Sequence, residues 1–164
     1  MQWDFRNKAL RQTMACVEFG IEKETLRVTP AGLLSKTSHP FSQDSIDRDF
    51  CENQVEMISS VHSDIKSLFS ELREIHHTVY EKLAEMNEFL WPFSNPPIVR
   101  SEDDISIARF AGEKRERTVY RQYLAGKYGK AIMLFSGIHL NFSFCDDMLM
   151  VQFLRSGEED YVRF

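Results

Sequence analysis

Phe19-Gly20-Ile21-Glu22-Lys23-Glu24-Thr25-Leu26-Arg27-Val28 alternates along its C-terminal half as a strand does, so side chains two apart share a face. Glu22 and Glu24 then stand on the face of Leu26 and Val28, two residues that favour burial. Carboxylates roughly 7 Å apart on an inward face repel by about 2 kcal/mol at an effective dielectric of about 20. Burial adds a desolvation cost. Lys23 points to the opposite face and cannot neutralise the pair, so a divalent cation is the expected compensation. A solvated Glu-Lys-Glu edge is the ordinary reading of such a triplet, but the company of Leu26 and Val28 turns these carboxylates inward.

The flanking chain supplies a sheet for this strand. Residues 17–28 are predicted as strand, followed by a turn at Thr29-Pro30-Ala31-Gly32 and a second strand over 33–37. That is a hairpin signal, with Pro and Gly supplying the turn. A polar loop after Ser38-His39-Pro40 leads to Asp49 and a short strand over 54–59, on which Glu56 shares a face with Gln54 and Ile58. Ser63-Asp64 caps the clearest helix, where Ile65, Leu68, Phe69, Leu72, Ile75, His76, Val79, Leu83 and Met86 recur at threes and fours. Its single apolar stripe suits a helix laid across a sheet. Trp91-Pro92-Phe93 and Asn95-Pro96-Pro97 end it in an extended segment. A second helical region begins at Ser101, with Glu102, Asp103 and Asp104 at its positive end. Gly112 interrupts it, and it resumes over 118–128. Residues 3–14 read as a short helix.

Residues 132–144 form the second informative element, read as one strand. One face carries Ile132, Leu134, Ile138, Leu140, Phe142 and Phe144, broken only by Ser136; the other carries Met133, Phe135, Gly137, His139, Asn141 and Ser143. The segregation predicts that the apolar face packs against helices while His139, Asn141 and Ser143 beside Gly137 wall a polar pocket. Asn141-Phe142-Ser143 also fits the glycosylation pattern, which a buried strand in a cytosolic chain makes a decoy.

Bulk properties bound the function. With 164 residues, 43% hydrophobic and 27% charged, the chain has the composition of one globular domain with a real core. A net charge of −5 gives no basic footprint for nucleic acid or an anionic membrane. Lys114-Arg115-Glu116-Arg117 reads as a solvated helix face. Cys16, Cys51 and Cys145 are scattered, odd in number and form no C-x-x-C pair, which argues for a reducing compartment and against a disulfide framework. With no apolar leader and no apolar run long enough to span a bilayer, a cytoplasmic location is expected.

The acids near the sheet are Glu22, Glu24, Asp49 and Glu56. Carboxylates with at most one nearby His suit Mg²⁺ or Mn²⁺ better than zinc, and phosphate oxygens commonly complete such a shell. The chain has neither G-x-x-x-x-G-K-[ST] nor G-x-G-x-x-G, so a nucleotide would be held by metal and sheet rather than by a glycine cradle. No nucleophile with an adjacent base stands out. The residues by themselves point to Mg²⁺-dependent phosphoryl transfer.

Seven segments, in order, resemble the bacterial glutamate–cysteine ligase family: Gly20–Val28, His39-Pro40, Asp49-Phe50, Glu56-Met57-Ile58, Leu90-Trp91-Pro92, Tyr120-Arg121 and Ser136–Phe142. The wording is close both to the monofunctional enzyme and to the ligase half of the bifunctional glutathione-synthesising fusion. The resemblance implies an α+β fold like that of glutamine synthetase, a curved and mainly antiparallel sheet with helices on its outer face. It implies that the γ-carboxylate of L-glutamate attacks the terminal phosphate of ATP and that the amine of L-cysteine then displaces phosphate, the first step of glutathione synthesis. It further implies Glu22, Glu24, Asp49 and Glu56 as ligands of Mg²⁺ or Mn²⁺, and His139 and Arg121 as catalytic side chains. Phe50, Tyr120, Leu124, Phe135 and Asn141 are implied as the substrate-binding set.

The family's catalytic domain is longer than this chain, which ends in Glu158-Glu159-Asp160-Tyr161-Val162-Arg163-Phe164, the apparent start of a helix. Residues 1–164 are therefore expected to be the N-terminal part of a ligase domain, with little activity and poor solubility alone. Two other readings stand beside this one: a non-catalytic relative that binds metal or substrate, and a γ-glutamyl ligase using another amine.

Overall fold

β1 (Val17–Val28) carries pairing partners along both edges, and the rest of the sheet is built from it. The structure is a computed structural model that describes Arg6, Lys8 and residues 16–157. On one edge β1 pairs with β3 (Gln54–Ile58), setting Glu22 opposite Ile58, Glu24 opposite Glu56 and Leu26 opposite Gln54. β2 (Ile46–Asp47) continues beyond β3, with Asp47 opposite Glu56. The other edge is shared in succession. β5 (Ile138–Phe144) pairs with residues 17–23, and β4 (Phe89–Leu90) pairs with Arg27 and Val28. Every pairing is antiparallel.

The alternation of β1 separates two layers. Its odd-numbered side chains face α1 (Ile65–Glu85), whose Ile75, Val79 and Leu83 pack with Ile46, Val55 and Met57 of β2 and β3. Asp64 caps α1 as expected, its carboxylate accepting from the Ser67 amide at 2.9 Å. Lys23 lies on this helix side, its Nζ 2.9 Å from His76 Nε2. The even-numbered face of β1 reaches a second cluster, in which Leu26, Leu34, Phe50, Cys51, Ile105 and Leu134 bury one another. Above that cluster stands the acidic part of the same face. Two further helices, α2 (Arg115–Tyr128) and α3 (Asp146–Ser156), complete the described chain. Among the described residues no helix is long and apolar enough to cross a membrane.

Several expectations are corrected. Residues 33–37 form no strand; only Leu34 bridges to Val28. The turn itself forms, with the Gly32 amide donating to Thr29 O at 2.9 Å. Beyond it, Ser35 and Thr37 bond the Arg27 and Glu88 side chains instead of entering a ladder. The strand over 132–144 is also too long, since residues 131–134 form a 3-10 turn that sends Leu134 into the core and β5 starts at Ile138. Most of its apolar face stays uncovered among the described residues: Ile138, Leu140 and Phe142 are exposed, and Phe144 alone of the four packs with Cys145 and Met148 at the start of α3. The region after Ser101 is a 3-10 turn over Glu102–Asp104, a second over Gly112–Lys114, and then α2. Cys16 and Cys145 are joined in a disulfide, with Cα atoms 5.5 Å apart. The pairing of Val17 with Phe144 makes neighbours of cysteines 129 residues apart in sequence. The basic run is not simply solvated either, because Arg117 pairs with Asp47 at 2.7 Å. The expected helix over 3–14 falls largely, and the segment 158–164 wholly, outside the described residues.

The helix side of β1 is closed by charge pairing. Arg27 is fully buried, and its Nη1 donates to Glu88 Oε2 at 2.8 Å. Removing one partner of such a pair strands the other charge in a low-dielectric site. Glu88→Gln is expected to cost about 3–5 kcal/mol of unfolding free energy, read as a lower urea midpoint. A loss below about 1 kcal/mol would show that Thr37 and the Glu52 carbonyl satisfy Arg27 alone.

Candidate active site on the open face of the sheet

Strand alternation and register place four acids on one face. Glu22 and Glu24 follow each other on β1, Glu56 stands across from Glu24 on β3, and Asp49 arrives from the loop between β2 and β3. Like charges directly opposite in a sheet are destabilising. Burial is the largest influence on Glu56, and the charges of Asp49, Glu22, Glu24 and Asp47 add to it, pushing its carboxyl up to about 7. Burial likewise raises Glu24, helped by Asp49 and Glu22 and opposed by a hydrogen bond from the Gly137 amide. Asp49 is raised by burial against the pull of Arg121, His139 and Arg117. The acids are thus held together without enough internal cation to settle them.

β5 supplies the polar wall. His139 sits across from Glu22 in the register, its Nδ1 3.4 Å from Glu22 Oε2 and its Nε2 4.0 Å from Glu24 Oε1. Asn141 Nδ2 donates to Glu22 Oε1 at 3.1 Å. The Gly137 amide donates to Glu24 Oε2 at 2.9 Å, fixing the more buried of the two β1 carboxylates. A Cβ at Gly137 would stand 3.8 Å from His139 Nε2 and 4.0 Å from Glu24 Oε2. Glycine therefore keeps clear the space between the imidazole and the carboxylate.

No three His, Cys, Asp or Glu side chains among the described residues converge into a ready-made metal cage. Mg²⁺ is usually held by one or two carboxylates, with substrate phosphate and water completing an octahedral shell. The donor set fits: hard oxygen ligands that repel one another, with space beside them.

The other expected site residues have different surroundings. Arg121 is buried, and all three guanidinium nitrogens donate to main-chain carbonyls: Nε to Asp49 O, Nη1 to Arg117 O at 3.0 Å and Nη2 to Arg48 O at 3.3 Å. It props the loop bearing Asp49, acting through that residue. Phe50 lies inside the core cluster and Leu124 packs against that cluster. Tyr120 and Phe135 are exposed. Two features escaped the reading of the sequence. Asp47 stands beside Glu56, and Asp47-x-Asp49 repeats the spacing of Glu22-x-Glu24, a signal that was available. Burial works against the Asp47 carboxylate, but hydrogen bonds from Arg117 and the Arg48 amide hold it below its ordinary range. The second feature is Phe110, whose ring lies 4.4 Å from both the Arg48 and Arg117 guanidinium carbons and 4.9 Å from that of Arg121. Nothing in the local sequence announces that convergence.

Comparison with known proteins agrees with the fold. The glutamate-cysteine ligase family model matches residues 3–162. A glutathione biosynthesis bifunctional protein from Listeria welshimeri is 44% identical over 149 residues, covering 87% of this chain and 19% of that protein. The crystal structure of a bifunctional glutathione synthetase from Pasteurella multocida superposes with a TM-score of 0.82 at 32% identity, over 94% of this chain and 21% of the other. A glutamate–cysteine ligase from Francisella tularensis, solved in complex with AMP, gives a TM-score of 0.79 at 33% identity, over 86% of this chain and 30% of that one. The chain thus spans about a fifth to three-tenths of the relatives it matches. With residues 3–162 inside the family model and a shared antiparallel α+β sheet, this chain belongs to the glutamate–cysteine ligase family.

Proposed function

We propose that residues 1–164 form the N-terminal part of the catalytic domain of a cytoplasmic, ATP-dependent ligase joining L-glutamate to L-cysteine. The observation that carries this reading is the row of under-compensated acids on the open face of β1 and β3, in a chain of this family. In the reaction, a γ-carboxylate oxygen of glutamate bonds to the terminal phosphorus of ATP and ADP leaves. The cysteine nitrogen then bonds to the acyl carbon, phosphate leaves, and the amine gives up a proton. In the first step the phosphoryl oxygens repel the carboxylate nucleophile, and in the second negative charge gathers on the departing phosphate. Mg²⁺, when bound, supplies the neutralising charge.

The protein's part is to hold and orient. Glu22, Glu24, Asp49 and Glu56 would hold the cations, with Asp49 presented by a loop that Arg121 braces from behind. The Gly137 amide keeps one oxygen of Glu24 engaged and leaves the other to a ligand. His139 and Asn141 orient Glu22 and offer polar contacts to substrate. Phe50, Tyr120, Leu124 and Phe135 are proposed to border the amino-acid sites of the complete domain.

The first test is Mg²⁺-dependent ADP release with glutamate and cysteine, from this chain and from its full reading frame. Turnover is expected in the extended form and little in the 164-residue chain alone. Glu24→Gln is expected to lower kcat by at least about 10²-fold, the scale set by removing one electrostatic stabiliser. Folded protein without turnover in either form would favour a non-catalytic relative.

The pH response has a definite sign. Glu56 has a folded-state pKa raised to about 7 from an ordinary 4.5. Its contribution to stability is present at low pH and is lost as pH rises between those values. In metal-free protein at pH 8, Glu56→Gln is therefore expected to raise stability by about 1–2 kcal/mol, a figure reduced for partial solvent screening. Stabilisation of the parent by Mg²⁺ should grow from pH 5.5 to 8, because the metal competes with that proton. Thermal melts at the two pH values decide it, and a Mg²⁺ effect independent of pH would remove Glu56 from the ligand set.

Gly137 gives a steric test. Its backbone is unstrained for other residues, so Gly137→Val fills the space by Glu24 and His139 without a conformational penalty. Mg²⁺ affinity is expected to fall about tenfold or more, while Gly137→Ala, which meets only ordinary contacts, stays within about threefold. Equal affinities for the parent and Gly137→Val, by calorimetry, would place the metal elsewhere.

A further inference from the structure

The segment carrying Asp47 and Asp49 lacks long strand partners: β2 ends at Asp47, and the next strand begins at Gln54. What holds it is a stretch some sixty residues later. The Glu52 amide donates to Ser106 O at 2.7 Å, the Ala108 amide donates to Phe50 O at 3.0 Å, and Cys51 bridges Ile107. This stretch runs into Phe110, whose own amide donates to Thr118 Oγ1 at 2.7 Å and so ties it to α2. Around the Phe110 ring gather Arg48, Arg117 and Arg121, with guanidinium carbons 4.4, 4.4 and 4.9 Å from its centroid.

Each guanidinium spends its edge on the acid-bearing segment or its flank. Arg48 bonds Glu52 at 3.0 Å and Arg109 O at 3.1 Å. Arg117 bonds Asp47 at 2.7 Å. Arg121 donates to the carbonyls of Asp49, Arg48 and Arg117. Three like charges packed this closely repel; Asp47 and Glu52 pair directly with Arg117 and Arg48, while Arg121 meets Asp49 and Glu56 only through their charge, with no direct ion pair. The electron-rich face of an aromatic ring attracts cations without demanding their hydrogen-bonding edges. An aliphatic side chain of similar bulk would fill the volume but lose that attraction.

We propose that Phe110 is a positioning residue for the proposed ligase site: its ring is the common seat of three arginines that present Asp47 and Asp49 to the carboxylate face. This rests on the reading of Asp49 as a metal-holding acid. The ring acts through the arginines and touches no reacting atom.

The test compares Phe110→Leu with Phe110→Tyr, both in the full reading frame. Tyr keeps the aromatic face, and Phe110 borders an open cavity of about 250 Å³ rather than lying in the closed core. Hydrogen exchange is followed on the peptide spanning residues 46–52, where the Phe50 and Glu52 amides report the loop. In Phe110→Leu these amides are expected to exchange about tenfold faster, while β1 and α1 exchange as in the parent. Phe110→Tyr should restore the parental rate. The half-saturating Mg²⁺ concentration for turnover should rise about threefold or more in Phe110→Leu and return in Phe110→Tyr. Unchanged loop exchange in Phe110→Leu would overturn the proposal. So would equal acceleration across α1, which marks general loosening, or failure of Tyr to restore. A parent without ligase turnover would refute the functional reading alone, since the exchange comparison needs no catalysis.

Discussion

Glu24 and Glu56 face each other across an antiparallel pair, and most of the molecule's arrangement follows from keeping them there. Directly opposed like charges work against the β1–β3 pairing, which would relax by sliding or splaying if the strands were free. They are not free. The helix side of the same register buries Val55 and Met57 under α1, and a one-residue slip would expose both. The apolar core on one face therefore sets the position of the acids on the other.

The two faces of β1 treat charge in opposite ways. Arg27, on the helix side, meets Glu88 together with Thr37 and the carbonyls of Thr37 and Glu52. That charge is paired within the fold and serves it, although Arg27 Nε is left without a hydrogen-bond partner. Glu22 and Glu24, five and three residues before Arg27 and on the opposite face, are given only amides and an imidazole. Burial raises Glu24 and Glu56, and repulsion from neighbouring carboxylates, Asp49 and Glu22 among them, adds to the rise in each. A face that collects negative charge at a cost and leaves it open is suited to cations and to the phosphate groups that cations bring.

Much of this was legible in the residues, and the reasons are local. Glu22, Glu24, Leu26 and Val28 share a face because the strand period is two. The long helix could be read because its apolar residues recur at threes and fours behind an Asp64 cap. Glu56 was legible for the same reason as Glu24. The strand expected over 33–37 failed because Ser35 and Thr37 had partners, Arg27 and Glu88, that no local pattern shows. The long strand over 132–144 failed because Leu134 found a place in the core that alternation did not foretell. Arg121 was singled out by motif, but its bonds to the carbonyls of Asp49 and Arg48, more than seventy residues earlier, are contacts that only chain crossing creates.

The sequence by itself determined which face of β1 is acidic, where the main helix begins, and which family the chain resembles. Those depend on periodicity, capping and motif, all encoded within a few neighbouring residues. Only the tertiary structure decided that Glu24 opposes Glu56, that Cys16 meets Cys145, and that Phe110 gathers three arginines 7, 11 and 62 residues away along the chain. Strand register and loop crossing are set by the packing of the whole core, and they decide which charges become neighbours.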